Sequence, residues 1–224
     1  MNILIHACSD RMPYVDSFLI PYLTANGWEK SDISVWEDSK KRGCLRSYID
    51  SYEALPANGD TWHLQDDVLP AKDFYKRAKD LENVPGIMCG FGNVHFEQYG
   101  RKFGQASNLA DMFYSFPCIR IPNAMIKEWL KWFDEHKNTQ ELAGFVEGNK
   151  YVDYFFMLFI GDNPRHTLIL NLKPCLVEHV DEYVGGSKVN KGREKPAKAL
   201  EFVDDGGLEQ LKAWAVSKHF IEEQ

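Results

Sequence analysis

Two adjacent carboxylates, Asp66 and Asp67, follow an apolar run in the segment "DTWHLQDDVLP", residues 60–70. Such a run is typical of a buried strand, so the two acids stand where that strand should end. One interpretation is the N-cap of a helix, because Asp is favoured there and Pro70 suits a first helical turn. The other is a divalent-metal site at the carboxyl end of a sheet strand, facing a phosphorylated substrate. This segment alone leaves both interpretations open.

Polar residues also follow the two preceding predicted strands. They are Ser9, Asp10 and Arg11 after the first strand and Glu37 and Asp38 after the second, while Gln65 directly precedes the aspartate pair. In an open α/β sheet the carboxyl ends of the strands line one crevice, where ligands bind. Capping explains each cluster taken alone, but the recurrence of such clusters on one rim favours a binding site.

The elements that must position these residues alternate regularly in the first half of the chain. Strands are predicted in "NILIHAC", "DISVWED" and "TWHLQDD". Helices are predicted over 13–26, in "GCLRSYIDSYEAL" and in "PAKDFYKRAKDL". Three strand–helix alternations in succession predict an α/β fold with a mostly parallel, doubly wound central sheet flanked by helices.

The second half is less regular but continues the same domain. It contains two further predicted strands, "GIMCGF" and "MFYSFPCIRIP", separated by a glycine-dotted excursion. Helices are predicted in "NAMIKEWLKWFDEH", "YVDYFFMLFIGDN" and "GLEQLKAWAVSKHF", and a late strand pair in "HTLILNLKPCLVEHV". No repeat and no Pro-, Gly- or Ser-rich linker divides the chain, so 1–224 is predicted to be one domain. We divide it into nucleotide-binding βα units over 1–80, an acceptor and metal-closing half over 81–186, a basic flexible loop over 187–200 and a C-terminal helix over 201–224.

Composition excludes several classes of protein. The chain has 224 residues, 44% of them hydrophobic and 26% charged, as in ordinary globular proteins. Its formal net charge of −7 argues against a general polyanion binder. Five dispersed cysteines, the absence of a signal peptide and the absence of any long apolar run predict a cytoplasmic protein without a membrane span. Neither a GxxxxGK[ST] loop nor a GxSxG elbow is present.

The segment "HLQDDVLP", with the short first strand and the acids after the second, resembles metal-dependent, nucleotide-sugar glycosyltransferases of the GT-A fold. Their signature is Asp-x-Asp, or a variant such as x-Asp-Asp, after an apolar strand. A second segment, "KPCLVEHVDEYVGGS" (residues 173–187), is similar to the late P-S-L-V-x-H-x-G-x-x-S segment of small bacterial and phage members. The resemblance spans residues 1–190 and rests on these two motifs.

The resemblance implies a metal centre built from both motifs. Asp67 would bind Mn²⁺ or Mg²⁺ directly, Asp66 would face the ribose or the water shell of the metal, and His179 would be the second protein ligand. Gln65 stands where many relatives carry a first acid, and is assigned to the donor site with Asp66. Cys175 stands where the late motif often has Ser, and Asp181 where it has Gly. The serine of that motif would be Ser187.

The resemblance also suggests how the donor would be held. Ser9, Arg11 and Asp38 would contact base, ribose or phosphate, and Arg46 would reach the diphosphate, a surface role being equally open for it. The segment 187–198 is rich in basic residues, and Lys188, Arg193 and Lys195 would order over the phosphates of the donor. Asp153 is the candidate general base, with a helix cap as its alternative.

The sequence therefore predicts a glycosyltransferase that uses a nucleoside diphosphate sugar, with UDP favoured by family habit. The acceptor is left open between a glycan, a hydroxymethylated DNA base, a lipid-linked sugar and a protein, and the oligomeric state is left open too. Two alternatives remain. One is a metal-dependent hydrolase of nucleotide sugars or phosphodiesters that uses the same carboxylates to activate water. The other is a non-catalytic nucleotide-binding module in which the acids merely cap helices.

Overall fold

A computed structural model gives the fold of the chain. It describes residues 1–92, 106–107, 116–140, 142–149, 152–163, 168–186, 198–199 and 201–222. The strands in this part of the chain are β1 (Asn2–Cys8), β2 (Ile33–Asp38), β3 (Asp60–Gln65), β4 (Val68–Pro70), β5 (Ile87–Cys89), β6 (Ala106–Ser107), β7 (Cys118–Pro122), β8 (Ile169–Asn171) and β9 (Val177–His179).

Seven of these strands form one sheet in the order β2-β1-β3-β7-β5-β8-β6, and β4 pairs with β9 in a separate two-stranded sheet. β1 runs parallel to β2 and β3, and β5 runs parallel to β8. β7 is antiparallel to both β3 and β5, and β6 is antiparallel to β8. Five strands therefore point the same way, so the central sheet is mostly parallel, as predicted.

The helices lie on both faces of this sheet. They are α1 (Met12–Tyr14), α2 (Ile20–Ala25), α3 (Cys44–Ala54), α4 (Phe74–Asp80), α5 (Asn123–His136), α6 (Ala143–Gly148), α7 (Val152–Asp162) and α8 (Gly207–Ser217). A π-helical stretch, Val15–Leu19, joins α1 to α2. The predicted helix over 13–26 is thus confirmed, and it ends at Gly27, whose φ of 107° is a conformation that favours glycine.

Two separate apolar cores hold the helices against the sheet. On one face of the sheet, Ile3, Ile5 and Trp62 pack with residues of α1, α2, α4 and α8. On the other face, Ile119 and Ile121 pack with residues of α3, α5 and α7. β5 and β7 bury alternate side chains in opposite cores, Met88 and Cys118 in the first and Ile87 and Ile119 in the second, which is how a single sheet supports helices on both sides. The chain is one α/β domain.

The prediction that Pro70 begins a helix is wrong. Val68, Leu69 and Pro70 form strand β4, all three are buried, and helix α4 begins at Phe74. β4 is antiparallel to β9, with Val68 opposite His179 and Pro70 opposite Val177. Pairing with a strand from the far end of the domain overrides the local preference of proline for a first helical turn.

Within the described residues, no helix combines the length and the apolar character needed to cross a bilayer.

Candidate active site

Asp66 and Asp67 lie in the tight turn between β3 and β4 and are both buried. Neither carboxylate caps a described helix, because α4 follows Asp73 and has no side-chain cap. Asp66 Oδ2 instead accepts a hydrogen bond from the backbone N–H of Cys8 at 2.6 Å, which ties the end of β3 to the end of β1. The capping interpretation of this pair is therefore wrong.

Arg11 supplies the positive charge beside the aspartate pair. Its Nη1 donates to Asp66 Oδ1 and to Asp67 Oδ2, each at 2.7 Å, and its Nη2 donates to the carbonyl of Gly186 at 2.6 Å. The residue is 3% exposed. The guanidinium is thus directed at the two carboxylates, and not at an open surface where it could meet the base, ribose or phosphate that the sequence assigned to it.

His179 completes the cluster from the last residue of β9. Its Nε2 lies 3.5 Å from Asp67 Oδ2, and its Nδ1 lies 3.3 Å from Asp181 Oδ1. A backbone hydrogen bond also holds the two segments together, because the amide of Val180 donates to the carbonyl of Asp67 at 2.8 Å. The structure therefore brings Asp67 and His179 together, as the resemblance of segment 173–187 implied.

Asp181 is a site residue that sequence reasoning did not assign. It is 4% exposed and faces the imidazole on the side away from Asp67. A carboxylate on one ring nitrogen fixes the orientation of the other nitrogen, an arrangement common around metal-bound histidines. One indication of this role was present in the sequence, because the similar motif carries glycine at this position and this chain carries aspartate.

Charge and burial compete throughout the cluster. Burial lowers the pKa of His179, but the carboxylates of Asp67 and Asp181 outweigh it and raise that pKa to about 10. Burial raises the pKa of Asp67, yet His179 and Arg11 hold it well below its usual range. Burial raises the pKa of Asp66, Arg11 offsets part of this effect, and the charge of Asp67 adds to it. Asp67 is therefore the carboxylate that the cluster keeps ionised.

The donor atoms of Asp67 and His179 fit a divalent cation, and because the pKa of His179 is raised to about 10, a cation there would displace a proton from the imidazole. Two ligands at about 2.1 Å from one ion and roughly 90–110° apart lie about 3.0–3.5 Å from each other, and the Asp67–His179 separation of 3.5 Å falls at that limit. Asp67 Oδ1 is buried and has no hydrogen-bond partner among the described residues. No group of three or more His, Cys, Asp or Glu side chains in the described ranges is arranged to hold a metal ion. Among the described residues, Asp67 and His179 are thus two candidate ligands, and an ion there would take further oxygen ligands from phosphate or water, as is usual for Mg²⁺.

Ser9 and Asp38 lie on the same rim but use their side chains within the protein. The hydroxyl of Ser9 donates to Glu37 Oε1 at 2.6 Å, which links the ends of β1 and β2. The two carboxylate oxygens of Asp38 accept from the backbone N–H groups of Arg42 and Gly43, each at 2.9 Å. Asp38 therefore shapes the loop before α3, and its carboxylate is engaged there and not presented to a ribose.

Gln65 contacts helix α3, and Arg46 is part of that helix. Gln65 Nε2 donates to the hydroxyl of Tyr48 at 3.5 Å. Arg46 is an exposed residue of α3 whose backbone N–H donates to Asn149 Oδ1 at 2.9 Å. Through Asn149, the segment that precedes α7 is fastened to the first turn of α3.

Asp153 stands at the start of α7, where its Oδ1 accepts from the N–H of Tyr154 at 3.0 Å. Burial raises its pKa. Burial and then the charge of Asp153 raise the pKa of Cys44 to about 12, and Asp66 and Asp67 add to this. The charges of all three acids therefore act on the same thiol, that of Cys44.

The remaining predicted site residues are Ser187, Lys188, Arg193 and Lys195, and they lie outside the described residues.

Comparison with known proteins finds likenesses of structure only. No family model matches the chain, and no curated protein matches it. The crystal structure of S. aureus TarS 1–349 has a TM-score of 0.49 and 12% identity, over 98% of this chain and 72% of that one. The galactosyltransferase LgtC, in complex with donor and acceptor sugar analogs, has a TM-score of 0.43 and 11% identity, over 97% and 96%. The apo-form glycosyltransferase GlyE of Streptococcus pneumoniae TIGR4 has a TM-score of 0.37 and 9% identity, over 98% and 62%. Likeness at this level decides neither family nor activity.

Proposed function

We propose that this protein is a metal-dependent glycosyltransferase that moves a sugar from a nucleoside diphosphate sugar to an acceptor hydroxyl. The observation that carries the proposal is the 3.5 Å approach of Asp67 Oδ2 and His179 Nε2 beside the carboxyl end of β3. A carboxylate and an imidazole at this spacing suit one hard divalent ion, and the carboxyl edge of an α/β sheet is where such folds bind ligands.

The roles of the residues follow from their chemistry. Asp67 and His179 would hold Mn²⁺ or Mg²⁺, and Asp181 would keep the imidazole turned toward Asp67. When bound, the ion supplies positive charge to the diphosphate that leaves the sugar. Asp66 is held by Arg11 and by the amide of Cys8, so we assign it to the shape and charge of the donor site.

Asp153 is the proposed general base. Transfer with inversion requires one group to accept the proton of the acceptor hydroxyl, and a carboxylate at the start of α7 is suited to it. Burial raises the pKa of Asp153, which makes it a stronger base than an ordinary surface aspartate.

The resemblance of the motifs to small bacterial and phage enzymes favours a UDP-sugar as donor. It leaves open whether the acceptor is a hydroxymethylated DNA base or a non-DNA acceptor, namely a glycan, a lipid-linked sugar or a protein. The basic segment 187–198 suits contact with a DNA backbone, whereas the net charge of −7 speaks for a glycan. Salt dependence of DNA retention, measured with and without neutral replacements in that segment, separates the two.

Thermal unfolding with UDP and UDP-sugars, each with and without Mn²⁺, tests the proposal. A ligand at a hundred times its dissociation constant stabilises the folded state by about 2.7 kcal/mol. We expect stabilisation by UDP only when metal is present, and its loss in Asp67→Asn and His179→Ala but not in the exposed control Asp80→Asn. No metal-dependent shift with any nucleotide would refute the donor site.

Product analysis then separates transfer from hydrolysis. A transferase releases UDP in step with the appearance of a glycosylated acceptor. Free sugar formed at the same rate without any acceptor would assign the same carboxylates to a hydrolase that activates water.

A further inference from the structure

Arg11 is placed differently from an arginine that receives phosphate. One of its terminal nitrogens, Nη1, is shared between Asp66 and Asp67, and the other, Nη2, is bound to the carbonyl of Gly186. The side chain is almost fully enclosed. A phosphate could reach this guanidinium only if Arg11 left the two carboxylates.

The carboxylates need a counter-ion. Two adjacent buried acids repel one another and each loses hydration, so an uncompensated pair is strongly unfavourable. A charge-assisted bond of 2.7 Å to each acid offsets that cost. With Arg11 in place, the pair carries a charge of about −1 in place of −2, as seen by an approaching cation.

Arg11 achieves this without using every oxygen of the pair. It bonds to Oδ2 of Asp67 and leaves Oδ1, which has no hydrogen-bond partner in the described part of the chain. The oxygen of Asp67 that lies 3.5 Å from His179, Oδ2, is thus partly neutralised by Arg11, while Oδ1 of the same acid remains open to a cation.

We propose that Arg11 is an internal counter-ion of Asp66 and Asp67 that substitutes for part of the charge of a divalent cation. Cation binding at Asp67 and His179 is consequently weak in the protein alone, and it becomes strong when the diphosphate of the donor adds its own negative charge. This inference rests on the metal site of the proposed function. Arg11 is a positioning residue in this role and touches neither substrate nor metal.

Titration with Mn²⁺, followed by the electron paramagnetic resonance signal of free Mn²⁺, measures the effect without any catalysis. The variant is Arg11→Met, which keeps much of the side-chain volume and removes the charge. Repulsion between charges of +1 and +2 at about 5 Å, even with full water screening, corresponds to at least about a tenfold change in affinity. We expect Arg11→Met to bind Mn²⁺ alone at least about tenfold more tightly than wild type, and UDP to add less to that affinity than it does in wild type.

Arg120→Met is the matched control. Arg120 is also a buried arginine, 1% exposed, but it bonds to the carbonyl of Leu81 at 2.6 Å and lies 3.6 Å from Asp60, away from the aspartate pair. We expect this variant to lose thermal stability while its Mn²⁺ affinity stays that of wild type. A general loosening of the fold would change both variants alike.

A second comparison covers the case in which Arg11→Met does not fold. In Asp66→Asn only one buried carboxylate of the pair remains, so the loss of Arg11 leaves less charge uncompensated. We expect the double variant Arg11→Met/Asp66→Asn to bind Mn²⁺ at least about tenfold more tightly than Asp66→Asn alone.

Equal or weaker Mn²⁺ binding on removal of Arg11, in either comparison whose variants fold, overturns the inference. The proposed function fails separately. Tighter Mn²⁺ binding by Arg11→Met, with no effect of UDP on wild type, supports the counter-ion and rejects the donor site. A strong effect of UDP on wild type, with no effect of Arg11→Met, supports the donor site and rejects the counter-ion.

Discussion

Val68 stands directly opposite His179 in the two-stranded sheet of β4 and β9. Because Asp67 immediately precedes Val68, this register brings the carboxylate and the imidazole to the same end of the ladder. The hydrogen bond from the Val180 amide to the Asp67 carbonyl closes that end. Backbone pairing therefore brings the two candidate metal ligands to the same place.

Asp153→Asn should slow glycosyl transfer by about 10²–10⁴-fold, because the amide cannot accept the proton of the acceptor hydroxyl. Binding of UDP with Mn²⁺ should not change. Since burial raises the pKa of Asp153, the acidic limb of the wild-type kcat/KM profile should lie above the range of a surface aspartate. Turnover and calorimetric UDP binding are measured together, with the exposed Glu147→Gln as control. Unchanged turnover would remove Asp153 from the mechanism.

Asp181→Asn should weaken binding of Mn²⁺ in the presence of UDP by about 10–100-fold. The variant keeps the shape of the side chain and removes the negative charge that faces His179 Nδ1 at 3.3 Å. Backbone contacts of residue 181, such as acceptance from the Gly186 amide at 2.7 Å, are retained. Asp80→Asn is the control, and an affinity equal to that of wild type would show that Asp181 does not orient the ligand.

Acidification should destabilise the protein through a buried histidine pair. His6 Nε2 and His63 Nδ1 lie 3.1 Å apart, burial lowers the pKa of His63 to about 3, and burial together with His63 lowers that of His6. Below pH 6.5 the unfolded chain binds protons that the folded pair does not, so stability is lost as the pH falls toward about 3. Each histidine contributes at most about 1.4 kcal/mol per pH unit to this loss.

Urea unfolding at several pH values measures this slope. We expect the free energy of unfolding of His63→Leu to depend less steeply on pH than that of wild type, whatever its absolute stability. Parallel slopes for wild type and His63→Leu would contradict the assignment.

Gly43→Ala should destabilise the protein more than Gly59→Ala. Both glycines have positive φ, 91° and 89°, so each substitution introduces backbone strain of about 1–3 kcal/mol. A methyl group at Gly43 would also overlap the side chain of Asn149, whereas nothing lies within 4 Å of one at Gly59. Thermal or urea unfolding of the two variants isolates that overlap, and equal losses would mean that Asn149 yields without cost.

The sequence predicted the local elements well where hydrophobic periodicity decides them. The strands that became β1, β2 and β3 and the helix at Cys44–Ala54 are examples. It failed where distant pairing decides. Pro70 looked like a helix start because only its neighbours in the chain were considered, and its partner Val177 is invisible to a local pattern. The sequence also did not predict that β7 lies antiparallel between β3 and β5, for the same reason.

The candidate site shows the same division. Asp67 and His179 were found through their motifs, and the structure brings them together. Arg11 was assigned to the donor because it follows the first strand. Its orientation toward Asp66 and Asp67 depends on contacts between distant segments, which a local sequence pattern does not reveal. Asp181 was noted only as a difference from the glycine of the similar motif. The role of its carboxylate becomes visible only when the structure places it opposite the imidazole of His179.

The pairing of β4 with β9 also has a consequence during synthesis. A ribosome that has translated the chain as far as residue 150 has delivered Asp66, Asp67 and Arg11 but not His179 or its strand. Contacts between such distant segments form late in folding. The metal site that we propose should therefore be completed only after residue 179 has been translated.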